Sequence, residues 1–156
     1  MTDRESYSDR QPAASVVVPV YNKASHLKAC FDCLERQTIS KSDLEVLLID
    51  DGSTDESLAL CEAFAAERPW VRVVAQPNAG VSEARNAGIR AARGRYLFFL
   101  DPDDSLSPET LENVSKFFES CPDEVELATY PIVSIREGKR QRLHHRYDVL
   151  RETGIY

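Results

Sequence analysis

The sequence has no long apolar stretch. Among its 156 residues the longest unbroken run is Tyr96-Leu97-Phe98-Phe99-Leu100, where a membrane-crossing helix needs about 20 apolar residues. Residues 1–14 are polar and contain no apolar signal core, so the expectation is a cytoplasmic protein with no membrane span. Peripheral association with the inner face of a membrane stays open. Basic charge is in deficit, 19 Lys and Arg against 26 Asp and Glu for a net charge of -7. That balance argues against nucleic acid as a partner and leaves room for a site that holds a divalent cation. Cysteine is scarce. Cys30, Cys33, Cys61 and Cys121 read as reduced thiols, because the Cys30-x-x-Cys33 pair falls inside a helical pattern rather than at a helix N-terminus, and no second pair completes a zinc site. His26, His144 and His145 show no ligand spacing. Glycine is sparse as well, with no G-x-G-x-x-G after the first apolar run and no G-x-x-x-x-G-K-[ST] anywhere. A dinucleotide cradle and a P-loop are thereby unsupported, and a phosphorylated ligand must be held by other means.

What is present is a regular alternation of patterns. The β-branched run 15–20 reads as a strand, followed by a helix with Leu27, Cys30, Phe31 and Leu34 on one face. Residues 44–49 form a second strand. After Asp50-Asp51-Gly52, Ser53 and Glu56 stand in capping-box spacing before a helix with Leu58, Cys61, Phe64 and Ala65 on its apolar face. A third strand over 71–75, a helix over 81–93 closed by Gly94 as C-cap, and a fourth strand over 96–100 come next. Ser107 and Pro108 suit the N-cap and first position of a helix through Leu111, Val114, Phe117 and Phe118, and residues 125–132 suit a fifth strand. Strands alternating with helices of this length predict right-handed βαβ units, hence a three-layer α/β/α, Rossmann-like sandwich with a mainly parallel sheet. Three segments are expected: a polar, disordered leader over 1–13, a domain over 14–135, and a basic tail over 136–156. In that tail Arg136, Lys139, Arg140, Arg142, Arg146 and Arg151 outnumber the acidic residues, which suits a solvated hairpin or arm.

In an open parallel sheet, ligands bind outside the carboxyl ends of the strands. Every polar cluster of note falls there: Tyr21-Asn22 after the first strand, Asp50-Asp51-Gly52-Ser53 after the second, and Asp101-Pro102-Asp103-Asp104 after the fourth. Three free carboxylates in one turn supply the hard oxygens that Mg²⁺ or Mn²⁺ bridging a diphosphate needs. Tyr21 beside Asp51 makes a stacking platform for a base whose imide N–H the carboxylate accepts. Gly80, Arg85 and Asn86 at the entry of the third helix offer N–H groups and a guanidinium to a diphosphate.

Four blocks carry a resemblance. Ser15-Val-Val-Val-Pro-Val-Tyr-Asn22, Glu45-Val-Leu-Leu-Ile-Asp-Asp-Gly-Ser-Thr-Asp55, Asn78-Ala-Gly-Val-Ser-Glu-Ala-Arg-Asn-Ala-Gly88 and Gly94-Arg-Tyr-Leu-Phe-Phe-Leu-Asp-Pro-Asp-Asp104 resemble, in order, the signature blocks of family 2 glycosyltransferases. The resemblance implies the GT-A fold, shortened on the acceptor side. It also implies an inverting, metal-dependent transfer from a nucleotide-diphosphate sugar, first among them a UDP-sugar, to a saccharide or lipid-linked acceptor. It places Pro19, Tyr21, Asn22, Asp50, Asp51, Gly80, Arg85 and Asp101 at the donor, and Asp103 and Asp104 at the metal. Both Asp101-x-Asp103 and the adjacent pair Asp103-Asp104 fit the D-x-D element that touches ribose and metal. No residue can be assigned as general base, so a catalytically incomplete nucleotide-sugar-binding module or partner-dependent subunit is the alternative. Asp101-x-Asp103-x-Ser105 also resembles the nucleophile motif of haloacid-dehalogenase-like phosphatases, but that family carries it on its first strand.

Overall fold

The computed structural model describes residues 11–120, together with the backbone of residues 133–136 and 139–142. Four strands, β1 (Ala14–Val20), β2 (Leu44–Asp50), β3 (Val71–Ala75) and β4 (Tyr96–Phe99), form one sheet in the order β3-β2-β1-β4. All three pairings are parallel, with Val20 opposite Asp50, Asp50 opposite Ala75 and Val17 opposite Phe99. Four helices connect or follow them: α1 (Ala24–Glu35), α2 (Ser57–Ala66), α3 (Val81–Ala91) and α4 (Thr110–Ser120). The chain steps from β1 outward to β2 and β3 and then back to β4. Right-handed crossovers therefore put α1 and α2 on one face and α3 on the other, which is the three-layer arrangement the alternation predicts. Every residue of β1 and β2 is buried, as strands covered on both faces must be.

The α3 face is packed very tightly. Val17, Leu47, Ile49 and Ala84 form its buried cluster, with Ala87 and Ala91 against it. A Cβ on Gly88 would lie 2.3 Å from Cγ1 of Val17, so the helix sits this close to the sheet only because that position has no side chain. Gly88→Ala is expected to cost about 1–3 kcal/mol, as overpacked cores do. Val17→Ala in the same chain should recover part of that loss. A double variant that melts below both single variants would refute the contact as the cause.

On the lower edge of the sheet, Glu45 is fully buried yet charged. Its carboxylate accepts from Ser15 Oγ at 2.6 Å, Arg93 N at 2.9 Å, Arg93 Nε at 3.0 Å and Arg72 Nη1 at 2.8 Å. This knot ties β1, β2, β3 and the end of α3 together. Gly94 belongs to it and is not the C-cap: α3 ends at Ala91 with Ala92 as its cap. A Cβ on Gly94 would fall 2.5 Å from the Ser15 backbone nitrogen, so glycine is required there for close approach.

The capping box is also replaced. α2 begins at Ser57, and the Ser53 hydroxyl accepts instead from Asn22 N at 3.1 Å. Asp55 serves two helices, its carboxylate accepting from Ser57 N at 2.9 Å and from Ala24 N at 3.2 Å. The helix after Pro108 opens close to the expected place, with Thr110 N donating to Ser107 O.

Pairing starts slightly before Ala14, since the carbonyls of Pro12 and Ala13 accept from Arg95 N and Tyr96 N. The strand expected over 125–132 lies outside the described residues. Met1–Ser120 and Cys121–Tyr156 are separate compact units, and in the second Val133–Arg136 pairs antiparallel with Lys139–Arg142 as the hairpin β5-β6. Among the described residues no helix is long and apolar enough to cross a membrane.

Candidate nucleotide-sugar site

β1, β2 and β4 run parallel, so their carboxyl ends open on one edge, and a cavity of about 410 Å³ lies there. Pro19, Val20 and Tyr21 line it from β1, Asp51 from β2, Asn78, Gly80, Val81 and Ala84 from the entry of α3, and Asp101, Pro102 and Asp103 from the turn after β4. Lys23 completes the wall. The volume suits a ligand of nucleotide size. Tyr21 is 47% exposed, an aromatic ring presented to solvent beside a buried carboxylate.

Asp51 organises the far wall. It is only 2% exposed and accepts from Gln76 Nε2 at 2.8 Å, Ala79 N at 2.9 Å and Gly80 N at 2.8 Å. Burial works against its ionisation, but these three hydrogen bonds outweigh it and hold the carboxyl below the usual range. Three of about four lone-pair positions are thus occupied, which leaves one open on a residue that lines the cavity. Gly80 takes φ 92° and ψ 159°, a conformation essentially restricted to glycine, and its N–H is spent on Asp51. Gly52, with φ 72°, lets the backbone of Asn78 approach, because a Cβ there would meet Asn78 N at 2.7 Å.

Other residues singled out from the sequence stand behind the wall. Asn22, in the left-handed region at φ 51°, accepts through Oδ1 from Thr54 N at 2.8 Å and Asp55 N at 3.3 Å and so shapes the loop after β2. Asp50 is buried; one of its oxygens accepts from Ser53 N at 3.1 Å and the other has no hydrogen-bond partner. Arg85 grips Asp101 with Nη2 at 2.8 and 3.1 Å from the two oxygens. Asn86 points to Glu83 at 3.4 Å.

The acidic turn departs from three free carboxylates. Asp101 is held by Arg85, and Asp103 accepts from Lys23 Nζ at 2.7 Å, which holds its carboxyl below the usual range. Asp104 is pushed up by burial and by the charges of Asp101 and Asp103. Its N–H closes the turn on Asp101 O at 2.9 Å. The next residues are fixed from α1 and the turn that follows it, where Cys33 Sγ accepts from Leu106 N at 3.1 Å and Gln37 Nε2 donates to Ser107 O at 3.0 Å.

Among the described residues no three His, Cys, Asp or Glu side chains converge into a ready ligand set. The crowded, all-oxygen donors Asp101, Asp103 and Asp104 nonetheless fit a hard cation that shares its shell with phosphate oxygens, as Mg²⁺ and Mn²⁺ do, better than one caged by protein alone. Cys30, Cys33 and Cys61 are free and buried, and burial pushes the Cys30 and Cys61 thiols up to about 12, so these two are inert core side chains. Sequence reasoning missed Lys23 and Asn78. The signal for Lys23 was its place directly after Tyr21-Asn22 at a strand end; Asn78 is legible only from the fold.

The model of the family described as glycosyl transferase family 2 matches residues 15–155. The chain belongs to that family. It is 40% identical over 119 residues to the minor teichoic acid biosynthesis protein GgaB of Bacillus subtilis, covering 76% of this chain and 13% of that protein. Hyaluronan synthase of Pasteurella multocida is 38% identical over 114 residues, covering 73% and 12%. S. aureus TarS 1-349, solved with UDP-GlcNAc, superposes with a TM-score of 0.64 at 30% identity over 68% of this chain and 31% of that one. The mannosyltransferase PcManGT from Pyrobaculum calidifontis, solved with GDP-Man and Mn²⁺, shares the fold with a TM-score of 0.66 at 23% identity, over 76% and 38%. These neighbours are GT-A glycosyltransferases, and the parallel sheet with helices on both faces is the same α/β fold. The family 2 chain spans about an eighth of the length of these two curated relatives.

Proposed function

We propose that the chain is the donor-binding part of an inverting glycosyltransferase that takes a nucleotide-diphosphate sugar, a UDP-sugar first. The observation that carries this reading is the meeting of Tyr21, Asp51, Asp101 and Asp103 on one cavity at the carboxyl edge of the sheet. TarS, solved with UDP and with UDP-GlcNAc, supports UDP over other nucleotides. In this reading Tyr21 stacks on the base, and the open lone pair of Asp51 accepts the imide N–H of uracil. Asp101, Asp103 and Asp104 face the diphosphate and hold Mg²⁺ or Mn²⁺. When bound, that cation offsets the negative charge that develops on the leaving diphosphate. An acceptor hydroxyl attacks the anomeric carbon from the side opposite the diphosphate, which inverts the centre. The acceptor class is a growing saccharide or lipid-linked chain, in line with the teichoic acid and hyaluronan names among the relatives, and the setting is the cytoplasm or the inner face of a membrane.

The wall carboxylates each hold an internal donor already: Gln76 and two backbone N–H groups on Asp51, Arg85 on Asp101, Lys23 on Asp103. Donors that stabilise a carboxylate's charge make it a weaker proton acceptor. That observation favours donor binding with slow transfer by residues 1–156 alone. Calorimetric titration with UDP, GDP and dTDP, with and without Mn²⁺, tests the reading. Saturable UDP binding strengthened by Mn²⁺ is expected, and no binding of any of the three would sink it. Tyr21→Ala should weaken UDP by about 1–3 kcal/mol, the size of one base stacked on an aromatic ring. The loss should be the same with and without Mn²⁺, since the ring does not touch the phosphates. An unchanged affinity would remove Tyr21 from the base site.

A further inference from the structure

We propose that Lys23 is the residue that receives the diphosphate, and that its ammonium, paired with Asp103 in the structure, moves to a non-bridging phosphate oxygen when the donor enters. The inference rests on the donor-binding reading and adds to it a residue with two alternating partners.

Charge on the wall is the first argument. Among the cavity's lining residues there are three carboxylates, Asp51, Asp101 and Asp103, and Lys23 is the single cation. Arg85, the other basic side chain close by, is not in the wall and is held by both oxygens of Asp101. A diphosphate entering this cavity meets one positive side chain.

Anchoring is the second. The Lys23 backbone is fixed: its N–H donates to Ser57 Oγ at 2.9 Å, and its carbonyl accepts from His26 N at 2.8 Å and Leu27 N at 3.2 Å. Only the four-carbon stem is left to swing, and a lysine ammonium redirects easily among acceptors. The present pairing is cheap to leave. Nζ sits 2.7 Å from Asp103 Oδ2 with the two side chains 33% and 47% exposed, and exposed ion pairs add little stability. On leaving, Lys23 frees the Asp103 carboxylate to face the cation that accompanies the diphosphate, so one movement serves both ligands.

The arrangement predicts effects of opposite sign. In the full chain, Lys23→Met should raise the affinity for Mn²⁺ alone about two- to fivefold, the size of an exposed ion pair that no longer competes. It should lower the affinity for UDP with Mn²⁺ about tenfold, as loss of a charge-assisted phosphate contact does. Uridine, which has no phosphate, should bind the variant and the unaltered protein equally. Lys23→Arg, which keeps the charge, should recover part of the UDP affinity. A merely structural lysine would weaken Mn²⁺, UDP and uridine together. That result, or equal UDP affinity in Lys23→Met, or no recovery with arginine, overturns the proposal while the donor-binding reading stands. If the unaltered protein binds no UDP at all, both fall.

Discussion

Replacing Glu45 with alanine is expected to lower the stability of the folded chain by about 3 kcal/mol, at the low end of the range for one partner removed from a buried ion pair. The low end applies because Arg72 and Arg93 are 40% and 43% exposed and can turn to water once Glu45 is gone. What cannot turn is the buried hydroxyl of Ser15 and the backbone N–H of Arg93, which lose their acceptor. A fall in Tm of roughly 10 °C is the corresponding thermal reading. The effect also has a pH signature. Burial disfavours the charged Glu45, but hydrogen bonds from Ser15, Arg93 N–H, Arg72 and Arg93 Nε outweigh burial and depress its pKa. A carboxyl depressed in the folded state contributes stability above its unfolded pKa and loses it as pH falls through the folded value. The gap between the unaltered protein and Glu45→Ala should therefore be full at pH 7 and narrow only below about pH 4. Thermal melts that coincide at pH 7 would show that the knot adds nothing.

The contrast between Glu45 and the acidic turn explains what the sequence could and could not reveal. β1 and β2 are legible because continuous β-branched and aliphatic runs are what strands buried on both faces require, and the βα alternation then leaves few topologies open. The location of the site follows from the same logic, since parallel strands put Tyr21, Asp51 and Asp103 on one edge. Partnerships across the chain are not legible. Arg85 reaches Asp101 across 16 residues and Lys23 reaches Asp103 across 80, so two carboxylates that read as free are paired, for reasons set by strand order. Local motifs misled where a tertiary partner outbid the neighbour. Ser53 has the spacing of an N-cap, but the nearby N–H of Asn22 takes its hydroxyl, and Asp55 caps the helix instead. Gly94 has the place of a C-cap, yet the close passage of β1 is what demands glycine.

The most severe loss of ligand binding is expected at Asp51. In the proposed site its carboxylate does two things at once: it offers one lone pair to the base, and it holds Gln76, Ala79 N–H and Gly80 N–H, which fixes the segment from β3 into α3. Asp51→Ala removes the base contact and releases two backbone donors on the cavity wall, so the UDP affinity should fall about 100-fold or more, as when buried donors lose a charged acceptor and the site loses its shape. Asp51→Asn is the sharper probe. It keeps the size and one oxygen but sets an amide NH₂ against N–H groups that can only donate. Asparagine should consequently behave almost as badly as alanine, and amide exchange at Ala79 and Gly80 should quicken in both variants without a matching drop in global stability. The depressed pKa of Asp51 adds a sign to check: its hold on the loop is present above the ordinary aspartate value and fades only as pH falls below that value, so exchange at Ala79 should stay slow through pH 4–5. An Asp51→Asn protein that binds UDP within a few-fold of the unaltered chain, with slow exchange at Ala79 and Gly80, would mean that the loop is ordered by packing alone and that the carboxylate's charge is not what shapes the site.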